Sequence, residues 1–182
     1  MKSVLNIGGD ELNKKLILKS LKVLTWIVFI LYLAILIYVI VLKSGRGLIV
    51  STRPEISFMQ KLSGINVIPF KTIVYYLNGN QGFNTAIDNI LGNIIAFNPL
   101  GFLMPILLNK YKKLVNIFFI SVALSLSIEI IQLLFNLGSC DVDDFILNVL
   151  GSILGFGVYK ILNPILKKFR SYFIYIIDIQ TN

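Results

Sequence analysis

An acidic run stands out in a largely apolar chain: Asp141, Asp143 and Asp144 lie within the stretch CDVDDFILNVLG. The 182 residues include only 9 acidic residues, so a third of them lie within four positions. Clustered carboxylates can act as general bases, bind cations or cap a helix. Three Asp residues and a Glu could hold Ca²⁺ or Mg²⁺, but the order D-x-D-D lacks the spacing of an EF-hand calcium loop, so we predict no metal. No cofactor is predicted.

The residue types that are missing exclude several kinds of chemistry. The chain has no histidine and a single cysteine, Cys140. Ser-His-Asp and Cys-His catalysis, histidine-ligated zinc and an internal disulfide are therefore excluded. The net charge of +8 does not indicate a nucleic-acid partner, because the basic residues flank apolar runs.

Glu129 is a second unusual carboxyl group, because it interrupts the apolar run from Leu114 to Phe135. An ionisable side chain inside a bilayer costs at least a few kcal/mol unless it faces protein or water. Polar residues recur around it at helical spacing and form one stripe: Ser121, Ser125, Glu129, Gln132 and Asn136. We therefore predict that Glu129 faces the interior of a helix bundle.

The neighbouring apolar runs carry similar patterns. One stripe follows the acidic run at steps of three and four residues: Asp144, Asn148, Gly151 and Gly155. Its glycines predict a close approach to another helix. The preceding apolar run carries a polar group at its outer end and contains Pro99 and Gly101 further along; the polar group is Asp88, Asn89, Gly92 and Asn93. Pro99 leaves the Ile95 carbonyl without its usual partner, which predicts a kink near the middle of the membrane.

The elements that must position these groups are transmembrane helices. Apolar residues make up 56% of the chain, mean hydropathy is +0.81, and several apolar blocks are long enough to span a bilayer. We predict an all-α integral membrane protein with about four transmembrane helices in one bundle. The predicted parts are an N-terminal segment (1–22), a first transmembrane helix (23–42), an outer loop (43–87), a three-helix core (88–163) and a basic, aromatic surface tail (164–182). Asn163-Pro164 is predicted to end the fourth helix.

The outer loop and the basic residues predict the arrangement in the membrane. Within INVIPFKTIVYYL, Pro69 argues against one continuous helix, so an interfacial or re-entrant segment is expected. With a cytoplasmic N-terminus, 12 of the 17 Lys and Arg residues lie on the inner side. The positive-inside rule therefore favours two cytoplasmic termini, although Lys43 and Arg46 lie near the outer end of the first span.

In this topology the polar groups meet on the outer side of the membrane. The predicted polar site consists of Asp88, Asn93, Glu129, Gln132, Asp141, Asp143, Asp144 and Asn148. Simpler roles remain open. Asp141 or Asp144 could be the N-cap of the fourth span. Glu129 and Gln132 could instead join helices by bonding to Asn148 or Asn93.

Four stretches resemble, in their order, the VanZ-like family of bacterial membrane proteins: INVIPFKTI (65–73), NIIAFNPLGFLMP (93–105), the pair Glu129 and Gln132, and DVDDFILNVLGSILG (141–155). The resemblance covers about residues 65–157. The family's motif residues map onto Asn66, Pro69, Asn93, Pro99, Gly101, Glu129, Gln132, Asp141, Asp143, Asp144, Asn148, Gly151 and Gly155. Many relatives carry a basic residue before the acidic run, where Ser139 and Cys140 stand here; this departure implies a more anionic pocket.

The resemblance implies a small multi-pass protein of the bacterial cell membrane. The family's name comes from a protein that gives low-level resistance to teicoplanin-type lipoglycopeptides, and its biochemical activity is not established. We therefore favour a protein that binds or modifies a lipid-linked cell-wall component or the drug, with Glu129 as a general base or hydrogen-bond anchor.

Two other functions fit the residues. The chain could be an oligomeric transporter or channel subunit with Glu129 as an ion or proton site, or a non-catalytic scaffold for envelope machinery. Membrane lipids are expected partners in each case. Whether the protein is an enzyme stays open.

Overall fold

The computed structural model describes residues 2–43, 59, 64–79, 82–135 and 140–180. Residues 44–58, 60–63 and 80–81 of the predicted outer loop and residues 136–139, including Asn136 of the predicted polar stripe, lie outside this description. The helices are α1 (Lys2–Lys43), α2 (Lys71–Leu77), α3 (Phe83–Leu107), α4 (Leu114–Phe135) and α5 (Val142–Gln180), with a 3₁₀ turn at Asn109–Lys112 between α3 and α4. No strand occurs among the described residues beyond a single parallel bridge between Asn66 and Asp141.

Four of these helices are long and apolar enough to cross a membrane. The candidate spans are Lys15–Val39, Phe83–Leu107, Leu114–Phe135 and Val142–Phe169. The predicted fold class, an all-helical membrane protein with four spans, is therefore confirmed. The predicted location of the two termini stays a prediction, because a set of helices alone does not define which side of the membrane each end faces.

Proline does not end the fourth helix. Helix α5 continues through Pro164 to Gln180, so the prediction of a helix end at Asn163-Pro164 is wrong. Proline removes one backbone hydrogen bond, to the Lys160 carbonyl, while the turns on either side keep their own bonds.

Helix α3 likewise continues through Pro99 and Pro105. Near Pro99 the hydroxyl of Tyr32 donates to the Ala96 carbonyl at 3.0 Å, so α1 supplies a polar partner to this part of the α3 backbone. The predicted kink at Pro99 stays a prediction.

Residues 65–77 do not form one continuous helix, which agrees with the prediction from Pro69. Asn66 lies in the extended bridge before Pro69, and the seven-residue helix α2 begins two residues after Pro69, at Lys71. Between them Phe70 has a φ of 64°, in the left-handed region that a bulky side chain rarely adopts.

Helices α3 and α5 run parallel and approach each other very closely. At three glycines, an added Cβ atom would collide with the backbone of the opposite helix. It would lie 1.8 Å from the backbone oxygen of Ser152 at Gly101, 2.2 Å from that of Ile94 at Gly151, and 1.9 Å from that of Asn98 at Gly155. No side chain fits at these distances, so the two backbones can approach this closely only at positions occupied by glycine. The close approach predicted from the glycine stripe is confirmed.

The core lies between α1, α3, α4 and α5. Phe97 and Ile117 are almost fully buried, and α1 contributes Phe29 and Leu36 to the same apolar cluster. The outward faces keep many large apolar side chains exposed, as in Ile37 at 63%. In a membrane protein lipid covers such faces, so this exposure agrees with the four candidate spans.

Candidate functional site

A cavity of about 400 Å³ lies between α1, α3, α4 and α5, within the size range of small-molecule sites. Its lining consists of Leu36, Val39, Thr85, Asp88, Asn89, Gly92, Asn93, Ala96, Phe97, Ile128, Glu129, Gln132, Asp144 and Asn148. Six of the eight residues of the predicted polar site are in this lining. The other two, Asp141 and Asp143, are not.

Asn93 and Asp144 join α3 to α5 across the cavity. The side-chain amide of Asn93 donates to a carboxylate oxygen of Asp144. On the α4 side, the amide of Asn148 donates to the Ser125 hydroxyl at 3.0 Å. The polar stripes of α4 and α5 therefore face each other, as their spacing predicts.

Glu129 is buried, with 4% of its surface exposed, and one of its oxygens accepts the backbone N–H of Asp141 at 3.1 Å. The amides of Asn93 and Asn148 bond to Asp144 and Ser125. The alternative in which Glu129 or Gln132 bonds to Asn93 or Asn148 stays a prediction. Glu129 therefore contacts both the cavity and the start of α5.

Asp143 is fully buried and binds the segment at the start of α2. One carboxylate oxygen accepts the Phe70 N–H at 2.5 Å, and the other accepts those of Thr72 at 2.7 Å and Ile73 at 3.1 Å. The first N–H groups of a helix have no partner within it. Asp143 therefore caps α2 from a different element of the fold.

Asp141 has two structural roles. It precedes α5, and its carboxylate accepts the Asp143 N–H at 2.9 Å, so the N-cap alternative is confirmed for Asp141. The same carboxylate also accepts the Asn66 amide at 2.9 Å and the Thr72 hydroxyl at 2.6 Å. Asp141 thus ties the start of α5 to the loop before α2.

Backbone bonds complete this connection. The Asn66 N–H donates to the Cys140 carbonyl and the Val142 N–H donates to the Asn66 carbonyl, both at 3.0 Å. We call Asp141, Asp143 and the segment 66–73 that they bind the acidic latch. Two of the three clustered aspartates therefore have a structural role, and Asp144 alone of the three lines the cavity.

The neighbourhood of the latch is electrostatically negative. Burial, then the carboxylate of Glu129, raises the pKa of the Cys140 thiol to about 11. Burial, then the charges of Asp144 and Asp141, also raises the pKa of Tyr76 on α2. No lysine or arginine lines the described cavity. Among the residues that the structure describes, no three Cys, Asp or Glu side chains converge on a metal position.

Some cavity residues were missed by the sequence reasoning. Thr85 lies two steps of four residues before Asn93, so this spacing could have placed it on the same face of α3. Leu36 and Val39 of α1 give no such signal, because they are ordinary apolar residues in a uniformly apolar helix.

The sequence model of the VanZ/LLP1 family matches residues 29–163. The chain belongs to the VanZ/LLP1 family. It is similar to Protein VanZ of Enterococcus faecium, with 31% identity over 142 residues, which are 78% of this chain and 77% of that protein. No solved structure matches it significantly. The family match extends beyond the predicted 65–157 into α1, and it includes every residue that lines the cavity.

Proposed function

We propose that this multi-pass membrane protein contributes to resistance to lipoglycopeptide antibiotics such as teicoplanin. In this proposal its cavity binds the polar part of the drug or of a lipid-linked envelope component. Membership of the VanZ/LLP1 family and the likeness to Protein VanZ support the antibiotic class. The observation that carries the proposal is the cavity itself, because eight polar side chains line it within apolar helices.

The lining favours some chemical groups over others. Carboxylates of Glu129 and Asp144 accept hydrogen bonds from hydroxyl, amide and amino groups, and the amides of Asn93 and Asn148 can both donate and accept. A phosphate would find no cationic partner among the lining residues. The sugar and peptide parts of such ligands therefore suit the cavity better than a diphosphate does.

Two substitutions of similar shape test the proposal. Glu129→Gln and Asp144→Asn each replace a carboxyl group by an amide, and we expect the variants to lose the increase in teicoplanin tolerance that the wild-type protein gives a susceptible host. Loss of a hydrogen bond to a charged group costs roughly 1.5–3 kcal/mol, or about tenfold or more in affinity.

Ser127→Ala is the matched control, because Ser127 is exposed on α4 and bonds only within its own helix, to the Ala123 carbonyl. Minimal inhibitory concentrations are compared at equal amounts of protein in the membrane. Full protection by both amide variants would overturn the proposal, as would a wild-type protein that gives no protection.

A further inference from the structure

The cavity has a polar wall and an apolar wall. Helices α3, α4 and α5 supply every polar lining group, including Asn93, Glu129 and Asp144. Helix α1 supplies only Leu36 and Val39. A ligand that is polar throughout would leave the α1 wall unmatched, whereas a ligand with a polar and an apolar part can match both.

The apolar wall borders a gap between α1 and α4. Within the described residues the backbone of α1 packs along α3, but it approaches that of α4 only slightly. Leu36 of α1 and Ile128 of α4 are both buried in one core cluster and close the gap toward the helix centres. One turn further along, Val39 is 43% exposed and Gln132 is half-buried, so the cavity opens sideways there.

The surroundings of this opening are apolar. Ile35 on α1 is 61% exposed and Ile131 on α4 is 45% exposed, and both lie within candidate membrane spans. In a bilayer these side chains contact lipid tails. On this side the cavity therefore faces hydrocarbon, whereas the exposed lining residues Thr85 and Asp88 border it at the start of α3.

We propose that the ligand is a membrane-anchored amphiphile that enters sideways between α1 and α4. Its polar head lies against α3, α4 and α5, and its hydrocarbon chain leaves past Val39 and Ile128 into the bilayer. The chain then never has to pass through water, and only the head group moves into the protein. This inference rests on the proposed function, from which it takes that the cavity binds a ligand.

A photoreactive probe tests the route. The probe is a teicoplanin derivative with a diazirine at the end of its acyl chain, bound to the full-length protein in lipid nanodiscs and irradiated with and without excess unmodified drug. We expect the labelling that the excess drug removes to lie on α1 and α4 beside the opening, at Ile35, Val39 and Ile131. Competed labelling confined to α3 or α5 would overturn the route.

A substitution at the opening provides an independent measurement. Val39→Trp fills the opening with an indole ring, and we expect it to weaken binding of the same drug about tenfold or more. Ile37→Trp is the control, because Ile37 is 63% exposed and does not line the cavity. Thermal unfolding of both variants identifies any loss of fold.

The outcomes separate this route from the proposed function. If Val39→Trp binds the drug normally while Asp144→Asn does not, the route is wrong and the proposed function stands. If no competed labelling occurs anywhere on the wild-type protein, drug binding itself is absent. That result would overturn both the route and the drug-binding form of the proposed function.

Discussion

At the scale of single residues, Asp143 shows why a buried carboxylate need not be catalytic. It is fully buried, and three backbone N–H groups of the loop donate to it. Charge-assisted hydrogen bonds of this kind offset the cost of removing a carboxylate from water. They also hold Phe70 at its positive φ, a conformation that costs roughly 1–2 kcal/mol for a residue with a side chain.

Asp143→Asn is predicted to loosen the acidic latch. An amide keeps one acceptor oxygen but turns an NH₂ group toward backbone N–H donors, so we expect a loss of about 1–3 kcal/mol in the stability of segment 66–77. Hydrogen exchange of the amides in this segment measures the loss. Asp144→Asn is the adjacent control and should leave the exchange unchanged. Equal exchange in the two variants would contradict the latch.

Cys140 should show an unusual pH dependence. Burial and the carboxylates of Glu129 and Asp141 raise the pKa of its thiol from 9.0 to about 11. The folded protein therefore holds this proton more tightly than the unfolded chain does. The ionisation of Cys140 therefore lowers the free energy of unfolding as pH rises from about 9 toward 11, and has no such effect at lower pH.

The alkylation rate of Cys140 by iodoacetamide follows from this pKa, because only the thiolate reacts. At pH 8 the folded protein should react about 100-fold more slowly than a thiol with an ordinary pKa. The rate should continue to rise beyond pH 10. The same protein unfolded in detergent is the control, with a half-maximal rate near pH 9 and a plateau about one pH unit higher. A plateau at the same pH in both states would show that the thiol is unperturbed.

At the scale of elements, the parallel pair α3 and α5 organises the cavity. Both helices contribute to its lining, and their separation is set by three glycines rather than by side chains. Asn93 can reach Asp144 because the two backbones lie so close. Any residue that separates the helices should therefore alter both stability and the cavity.

Gly151→Ala and Gly155→Ala are predicted to destabilise the helix pair. The added methyl would lie 2.2 Å and 1.9 Å from backbone oxygens of α3, so the helices must move apart, at a cost of about 1–3 kcal/mol or more. Gly157→Ala is the matched control on the same helix, since nothing lies within 4 Å of a Cβ atom there. Thermal unfolding in detergent measures the difference. Equal unfolding temperatures for all three variants would contradict the close packing.

At the scale of the whole molecule, charge separates the two ends of the bundle. The helices alternate in direction, because Val39 near the end of the first span and Thr85 near the start of α3 line one cavity. This places at one end the basic residues Lys15, Lys19, Lys22, Lys110, Lys112, Lys113, Lys160, Lys167 and Lys168. The acidic latch and the cavity lie toward the other end.

The positive-inside rule then predicts that the basic end is cytoplasmic and that the cavity lies toward the outer leaflet. Reporter fusions test this orientation. Alkaline phosphatase, which is active only outside the cytoplasm, should be active when fused after Phe135 and inactive when fused after Lys112. Green fluorescent protein at the C-terminus should fluoresce. The reverse pattern would invert the topology.

The sequence predicted the helices and six of the fourteen residues that line the cavity, because those signals are local. Length and hydropathy indicate a span within one segment. Helical spacing predicted that Glu129 shares an inward face with Ser125 and that Asp144 shares one with Asn148. The glycines of α5 indicated a close contact for the same reason.

The roles of Asp141 and Asp143 depended on the tertiary structure. Asp143 binds Phe70 across 73 positions of sequence, and no spacing rule connects residues so far apart. The sequence did not predict the contribution of α1 to the cavity for a similar reason, because nothing in the sequence distinguishes one apolar face of a span from another. Local periodicity defines which face of a helix is polar, but the partner of that face is set by packing between helices. In the stretch CDVDDFILNVLG, packing between helices places Asp141 and Asp143 in the acidic latch and Asp144 in the lining of the cavity.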